Sequence, residues 1–347
     1  MARITERSAI SFDENWLAQR HEETLDSDLP IIDAHHHLWN REAPYFLPEL
    51  LSDTSTGHNI EATIYVECES MYRQGADPSL APVGEVEFAN GVAAIAESGL
   101  YGRTKVCAGI VGFADLLLGD KVAAVLELQK MRGGDRFKGI RNRSIWDADE
   151  SLTLQSQTYL PHLLMEDRFR RGFARLSGLG LSFDGWLYHP QIPEFTDLAR
   201  AFPDTTMILN HLGTPVHVGR YAGKGEEVFA TWKDHMTDLA RCENVFVKLG
   251  GVGTRFFGFS FDYAHAETPV SSHVLARAIR PYVETAISLF GTHRCMFESN
   301  FPVDKRCFSY NTLWNAFKRV AAQYAEDEKL TLFKKTAASA YRLNWSG

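Results

Sequence analysis

The strongest chemical signal in the chain is a run of histidines at the end of an apolar segment. The segment reads Ile-Ile-Asp-Ala-His-His-His over residues 31–37. Side chains alternate along a β-strand, so Asp33, His35 and His37 are predicted to point to one side and His36 to the other. Neutral imidazole is a common zinc ligand, and two on one strand tip supply half of a tetrahedral set. The spacing therefore predicts a site built around His35 and His37.

Two arginines close a later apolar segment, which reads Lys-Gly-Ile-Arg-Asn-Arg over residues 138–143. The planar guanidinium groups of Arg141 and Arg143 suit a carboxylate-bearing substrate. Pairing with structural acids such as Asp147 is the alternative. Lys248, at the end of another strand, is a weaker candidate for the same substrate-binding role.

Acidic side chains follow the second apolar segment, which continues into Met-Tyr-Arg over residues 71–73. Glu67 or Glu69 could act as a metal ligand or acid, and Glu67, nearer the strand tip, is the better candidate; a surface salt bridge is the alternative. Tyr72 and Arg73 on the following loop are candidate substrate-binding residues.

Short β-rich runs alternate with longer amphipathic runs from residue 31 onward, which is typical of repeated βα units around a parallel sheet. The predicted strands are Ile31–His35, Ala62–Glu67, Val106–Val111, Phe137–Arg141, Ser182–Tyr188, Thr206–Asn210, Val245–Leu249 and Cys295–Ser299. The predicted helices are Pro82–Glu97, Lys121–Met131, Gln157–Arg171, Pro193–Ala201, Glu226–Cys242, Ser272–Phe290 and Asn311–Tyr324. This order predicts an α/β fold, a closed (β/α)8 TIM barrel.

The barrel is predicted to occupy residues 30–347, after an N-terminal extension over residues 1–29. Two connections, 212–225 after strand 6 and 250–271 after strand 7, are longer than a simple connection requires. Loops that follow strand C-termini form the active-site face of such barrels, so the extra length is predicted to shape a substrate pocket. The aromatic stretch 255–263 could instead pack the second loop onto the barrel.

Composition excludes several classes of protein. The chain has 36 Lys and Arg against 44 Asp and Glu, a net charge of −8, and no basic run, so it lacks the electrostatic pattern of a nucleic-acid-binding protein. No apolar stretch is long enough to suggest export or a membrane span, so the cytoplasm is the expected compartment. Five widely spaced cysteines argue against a disulfide framework.

Four strand tips together resemble the amidohydrolase-2 branch of the amidohydrolase superfamily. After the Asp-x-His-x-His strand come Leu-Tyr-His-Pro-Gln over residues 187–191, Asn-His-Leu-Gly over 210–213 and Glu-Ser-Asn-Phe-Pro over 298–302. Members of that branch include sugar lactonases and 2-pyrone-4,6-dicarboxylate lactonase. The resemblance runs from about residue 31 to the end and implies a metal-dependent hydrolase with a TIM barrel.

The resemblance also implies roles for individual residues. His35 and His37 match the first-strand pair that binds metal, or the substrate carbonyl in metal-free members. His189 and His211 match later strand-end histidines, one a metal ligand and the other able to polarise the carbonyl or water. One divalent ion, zinc or manganese, is therefore expected, although metal-free members occur.

The last strand departs from the family, which usually has an aspartate general base where this chain has Asn300. An amide cannot accept a proton at neutral pH, whereas a carboxylate can. Glu298 or Asp304 could substitute, or His189 or His211 could be the base, and Asn300 could only orient water or substrate.

Three functions remain open at this point. The first is a lactonase, in which water attacks a carbonyl polarised by a bound ion or by the histidines themselves. The second is a non-oxidative decarboxylase or hydratase, as in a sister group. The third is a barrel without catalytic activity, for which Asn300 is the only argument. A small-molecule substrate is expected, with no nucleic acid and no membrane as partner, and the resemblance implies a homodimer.

Overall fold

The computed structural model describes residues 11–75, 77–154 and 160–343. Eight strands form one sheet in which each strand pairs in parallel with the next one along the chain. They are β1 Pro30–His36, β2 Asn59–Val66, β3 Lys105–Gly112, β4 Phe137–Arg143, β5 Ser182–Trp186, β6 Met207–Leu209, β7 Val245–Leu249 and β8 Cys295–Phe297. The predicted (β/α)8 barrel is confirmed.

The first and last strands meet at their C-terminal ends. His37 N donates to Phe301 O at 2.8 Å, and Asn300 N donates to His35 O at 2.9 Å. These backbone hydrogen bonds nearly close the barrel and bring the histidine run beside the residues that follow β8. The seam therefore joins the two most informative sequence motifs.

Helices occupy the outside of the barrel. They are α1 Glu14–Leu17, α2 Leu47–Thr54, α3 Val83–Glu97, α4 Val122–Gly133, α5 Asp167–Phe173, α6 Arg175–Gly178, α7 Ile192–Ala201, α8 Gly225–Leu239, α9 Ser272–Phe290, α10 Tyr310–Ala321, α11 Glu326–Leu330 and α12 Thr336–Ala340. Six predicted helices are confirmed with ends within three residues. Among the described helices, none has the length and apolarity needed to cross a membrane.

One predicted helix, Gln157–Arg171, is wrong over most of its length. Residues 155–159 lie outside the described chain. The following residues contain only a short 3-10 turn, Leu163–Met165, before α5 begins at Asp167. The regular helix covers only Asp167–Phe173, in which the apolar side chains Phe169 and Phe173 are buried.

The barrel interior has an apolar layer and, above it, a polar layer. The apolar layer contains one or more side chains from several strands and from α12, among them Ile32, Ile64, Ile208, Met296 and Tyr341. Buried polar side chains from β4, β5 and β7 and from the residues directly after β6 and β8 form the polar layer: Arg141, Asp184, Asn210, Lys248 and Glu298. Because alternate strand residues face inward, each of these polar groups is directed to the centre of the barrel.

The prediction that Asp33 shares a side with His35 and His37 is wrong. The pairing of β1 with β2 shifts in register between Asp33 and His36. Asp33 Oδ2 accepts from Tyr310 OH of α10 at 2.9 Å, outside the barrel, whereas the neighbouring Ala34 lies in the interior cluster. A β-bulge adds a residue to one strand and reverses the alternation beyond it, so only the two histidines face the site.

The long loops after β6 and β7 are present, with only short 3-10 turns inside them. Aromatic residues of the second loop mainly pack the loop onto the barrel: Phe257 is buried, and Phe259 and Phe261 pack against the main core. Phe256 lies on the other side, with its ring centre 5.0 Å from that of Tyr188. Packing is therefore the main role of the aromatic stretch.

The described part of the N-terminal extension lies against the loop after β7 and the outer helices. The Trp16 indole is buried, and its Nε1 donates to Ala266 O and Glu267 O at 3.1 Å each. Farther along, Leu25 N donates to Asn315 Oδ1 of α10 at 2.9 Å. This extension therefore braces a loop of the active-site face.

We expect Trp16→Ala to lower the free energy of unfolding by about 2 kcal/mol, because it removes a buried aromatic side chain and a shared hydrogen bond. Urea unfolding would measure the loss, and limited proteolysis should then cleave within residues 250–271 faster. Trp16→Phe, which keeps most of the packing, should lose about half as much. Equal stability of wild type and Trp16→Ala would show that the extension does not brace the loop.

Candidate active site

Two imidazole rings face each other at the mouth of the barrel. His35 Nε2 and His37 Nε2 are 3.2 Å apart. The His37 ring is fixed from its other edge, because Nδ1 donates to Val66 O at 2.8 Å. Burial, followed by the positive charge of Lys248 for His35 and of Arg141 for His37, holds the pKa of each well below its usual value. Both rings are therefore neutral, the form that binds metals.

Glu298 joins a third imidazole to this pair. Its Oε1 accepts from His211 Nδ1 at 2.6 Å and from His211 N at 3.1 Å. Its Oε2 lies 2.8 Å from His35 Nδ1 but lacks hydrogen-bond alignment, so no described group donates to this oxygen. The carboxylate thus lies at the Nδ1 edges of His211 and His35, and both rings carry Nε2 on the opposite edge.

The two predicted arginines are committed to acidic partners beside the histidines. Arg141 Nε donates to Glu67 Oε1 at 2.8 Å, and Arg143 pairs with Glu67 at 3.1 Å and Glu69 at 2.7 Å. Burial would raise the pKa of Glu67, but the charges of Arg143 and Arg141 together lower it. Arg141 Nη1 remains directed at the centre, 3.4 Å from His35 Nε2.

Lys248 does not lie at the surface, where a substrate would meet it. It is fully buried, with Nζ 2.8 Å from Asp184 Oδ2 and 3.2 Å from His35 Nδ1. The same Asp184 oxygen accepts from Tyr341 OH at 2.8 Å and from Asn210 Nδ2 at 2.9 Å. The structure therefore places Lys248 beneath the histidines, in contact with His35 and Asp184.

Asn300 lies on the seam but is turned toward Asp304. Its Nδ2 donates to Asp304 Oδ1 at 2.8 Å, and Gly253 N donates to Asp304 Oδ2 at 2.8 Å. Burial raises the pKa of Asp304 to about 8. Asp304 is therefore mostly protonated at neutral pH and is a poor candidate for the general base.

Three other predicted residues are not brought to the histidine cluster. His189 Nδ1 accepts from Val216 N at 3.3 Å, and its ring lies 5.1 Å from that of Tyr221. Arg73 forms an ion pair with Glu87 on α3, at 2.5 Å. Tyr72 lies among acidic groups, and burial followed by these charges raises its pKa. Within the described chain, none of the three contacts His35, His37 or His211.

The donor set fits a divalent ion. Two nitrogens bound to one tetrahedral zinc ion at about 2.0–2.1 Å lie about 3.3 Å apart, close to the 3.2 Å between His35 Nε2 and His37 Nε2. Ligand atoms of His35, His211 and Glu298 all lie within 4.8 Å of one another. The oxygen Glu298 Oε2, buried without a donor among the described residues, is the polar atom that a nearby cation would stabilise.

Sequence reasoning missed two groups that shape this site. Asp184 fixes Lys248 from two strands away, and a contact of that kind depends on how the barrel closes. Gly251 has φ +66°, and a Cβ there would lie 2.3 Å from His211 Cγ and Nδ1. The consecutive glycines at 250 and 251, directly after β7, were the available signal for this close approach.

We expect Gly251→Ala to lower turnover by about 10²-fold, because the added methyl group must displace the His211 ring. Gly223→Ala is a matched control, since Gly223 has φ +76° but a Cβ there meets nothing within 4 Å. Both variants should lose about 1 kcal/mol of stability from the backbone conformation, and only Gly251→Ala should lose activity. Equal turnover in the two variants would contradict the close packing of Gly251 on His211.

These histidines, with a carboxylate between two of them, lie at the C-terminal mouth of a (β/α)8 barrel, the position where such barrels place catalytic residues. A family model described as Amidohydrolase matches residues 32–343. The chain belongs to the amidohydrolase family, as the strand tips predicted. Membership of this family indicates a hydrolase.

Curated relatives match nearly the whole chain. A Sinorhizobium fredii protein, described as uncharacterized protein y4mH, is 32% identical over 340 residues, which cover 91% of this chain and 100% of that protein. L-fucono-1,5-lactonase of Burkholderia multivorans is 24% identical over 327 residues, covering 90% of this chain and 96% of the lactonase.

Solved structures share the fold at low identity. An amidohydrolase of Burkholderia multivorans with bound zinc has a TM-score of 0.67 at 22% identity, covering 90% of this chain and 99% of that one. A manganese complex of 5-carboxyvanillate decarboxylase from Novosphingobium aromaticivorans has a TM-score of 0.54 at 12% identity, covering 92% and 97%. The fold is therefore shared by proteins whose names describe different reactions.

Proposed function

We propose that this chain is a lactonase, which adds water to the carbonyl carbon of a small-molecule lactone and opens the ring. The observation that carries the proposal is the pairing of His211 with Glu298 at 2.6 Å, beside His35 and His37. A histidine held by a carboxylate at one ring nitrogen is arranged to move a proton at the other. The lactonase of Burkholderia multivorans among the relatives supports this reaction class.

His211 is the proposed general base in place of the aspartate missing at position 300. Because Nδ1 donates to Glu298 Oε1, the lone pair of His211 lies on Nε2. Nε2 takes a proton from the attacking water while Glu298 stabilises the resulting imidazolium. The same nitrogen then returns the proton to the ring oxygen that leaves the carbonyl carbon, so water and lactone give one hydroxy acid.

Arg141 is proposed to stabilise negative charge on the carbonyl oxygen during attack. Its Nε and Nη2 are held by Glu67, which leaves Nη1 directed at the histidines, 3.4 Å from His35 Nε2. A fixed donor of this kind is effective because it does not reorganise during the reaction. Arg143, whose side chain is 15% exposed, is the arginine that a substrate carboxylate can approach.

His35 and His37 would hold a divalent ion through Nε2, with the Glu298 carboxylate nearby, while the Nε2 lone pair of His211 serves proton transfer. Bound there, the ion would polarise the carbonyl and favour ionisation of water. Zinc and manganese, carried by structures of the same fold, are the proposed identities, and imidazole with carboxylate suits both.

The proposal is tested by acid release from sugar, pyrone and aromatic lactones in a weakly buffered indicator assay. Wild-type protein, with and without added Zn²⁺ or Mn²⁺, should release protons from at least one lactone. His211→Gln should abolish this release. His217→Gln is the matched control, because His217 lies farther along the same loop and its Nε2 contacts Tyr282 OH at 2.7 Å.

Carbon dioxide release distinguishes the alternative reaction. Aromatic acids are the compounds to test for this reaction, because a solved structure of the same fold is a 5-carboxyvanillate decarboxylase. Carbon dioxide from an aromatic acid, with no acid release from any lactone, would replace the lactonase proposal by a decarboxylase. Stoichiometric ion binding without turnover on either panel would favour a barrel without catalytic activity.

A further inference from the structure

The hydrogen positions around His35 are determined by its neighbours. A carbonyl oxygen can only accept, so His37 Nδ1, 2.8 Å from Val66 O, carries the ring hydrogen of His37. His37 Nε2 therefore has a lone pair. His35 Nε2 lies 3.2 Å from it and must donate to form a hydrogen bond. A neutral imidazole has one N–H, so His35 Nδ1 is then an acceptor.

Contacts at the other edge of His35 agree with this tautomer. An ammonium group can only donate, and Lys248 Nζ lies 3.2 Å from His35 Nδ1. Glu298 Oε2 lies 2.8 Å from the same nitrogen but is not aligned for a hydrogen bond, so this contact does not require a hydrogen on Nδ1. The 3.4 Å contact of Arg141 Nη1 with His35 Nε2, which needs the opposite tautomer, lies at the outer limit of hydrogen bonding.

We propose that Lys248 is a positioning residue that keeps the ring hydrogen of His35 on Nε2 and thereby opposes a divalent ion at His35 and His37. An ion bound at these histidines needs the lone pair of His35 Nε2. The hydrogen must then move to Nδ1, beside the negative charge of Glu298 Oε2, and Lys248 loses its contact with His35. No net proton is gained or lost. This inference rests on the ion site of the proposed function but not on the substrate.

Lys248 is held in place from below. Asp184 Oδ2 accepts from Lys248 Nζ, from Asn210 Nδ2 and from Tyr341 OH. Tyr341 directly follows α12, so the C-terminal helix supports a chain of contacts that ends at His35. Because all four side chains are buried, Lys248 has no solvent route away from His35.

The double variant Lys248→Met/Asp184→Asn tests the inference, because it removes one positive and one negative charge and leaves local net charge unchanged. Affinity for Zn²⁺ and Mn²⁺ would be measured on ion-free protein by competition with a chelator. We expect binding to tighten by at least about 10-fold. The control Lys305→Met/Asp53→Asn removes a similar buried pair, in which Asp53 also accepts from a tyrosine, Tyr45; its affinity should stay within about 2-fold of wild type.

Ring-nitrogen NMR of protein labelled with ¹⁵N-histidine provides a second readout that needs no substrate. Ion-free wild type should show His35 hydrogen on Nε2, and zinc-loaded wild type should show it on Nδ1, with His35→Gln used for assignment. Hydrogen on Nδ1 in ion-free wild type, or unchanged ion affinity in the Lys248→Met/Asp184→Asn variant, would overturn the inference. Failure of every lactone would leave these results unaffected.

Discussion

Replacing Glu298 with glutamine is expected to lower kcat by about 10³-fold and to change KM little. The amide can still accept from His211 Nδ1, so the ring keeps its place. It cannot stabilise the positive charge that His211 gains when it takes a proton from water. Glu298 lies at the Nδ1 edge of His211, opposite the Nε2 that meets the water, so binding should be largely preserved. The measurement is steady-state kinetics on a lactone that responds in the acid-release panel.

Glu85→Gln is the matched control for this prediction. Glu85 is another fully buried glutamate, and its Oε1 accepts from Tyr65 OH, Cys68 N and Ser70 N rather than from histidine. Its replacement should affect stability while kcat stays within a few-fold of wild type. If Glu298→Gln instead raised KM and left kcat unchanged, Glu298 would be a binding residue, and the proton-transfer role of His211 would be wrong.

The strand order was predictable because a buried parallel strand leaves a short apolar run between longer amphipathic ones. The residues at which the strands end were less predictable. Tyr188 and Ser299 were assigned to strands that stop at Trp186 and Phe297, since side chains that turn over the mouth of the barrel remain buried. The bulge in β1 was not predictable, because the apolar pattern before it continues unbroken. It reverses the side on which Asp33 lies.

The site was predictable where one strand tip sufficed. His35 and His37 share a tip, and their spacing alone brings them together. His211 and Glu298 follow different strands, and the sequence does not predict that they meet at 2.6 Å. Nor does it predict that His189 turns toward Tyr221. The order of the strands along the chain predicts which strands are neighbours, but not the direction in which the side chains at each strand end point. For the same reason the sequence suggested a substrate-binding role for Lys248 but could not show that the barrel directs it inward to Asp184 and His35.

The buried pair of Asn300 and Asp304 accounts for the absence of an aspartate at position 300. Asn300 Nδ2 donates to Asp304 Oδ1 at 2.8 Å. Asp304 already keeps one proton at neutral pH, and a carboxyl at 300 needs a second proton of its own to donate to that oxygen in the same way. We therefore expect Asn300→Asp to lower the free energy of unfolding by about 4 kcal/mol at pH 7. The pKa of this carboxyl in the unfolded chain is about 3.9. Keeping it protonated in the folded chain costs about 1.4 kcal/mol for each unit by which the pH exceeds that value.

The cost in Asn300→Asp should depend on pH in one direction. An acid whose pKa is higher in the folded chain stabilises the fold fully below its unfolded pKa, and this contribution is lost as pH rises through the folded pKa. Asp304, with a pKa of about 8, already behaves in this way in wild type. The added carboxyl should therefore widen the stability difference from below about 1 kcal/mol near pH 4 to about 4 kcal/mol at pH 7, and further by pH 8. Urea unfolding at pH 4, 6 and 8 would measure it, with Asn300→Ala as the uncharged control whose deficit should vary little. If the stability loss of Asn300→Asp were as independent of pH as that of Asn300→Ala, position 300 would accept an ionised carboxylate. The pairing with Asp304 would then not explain why the chain has asparagine there.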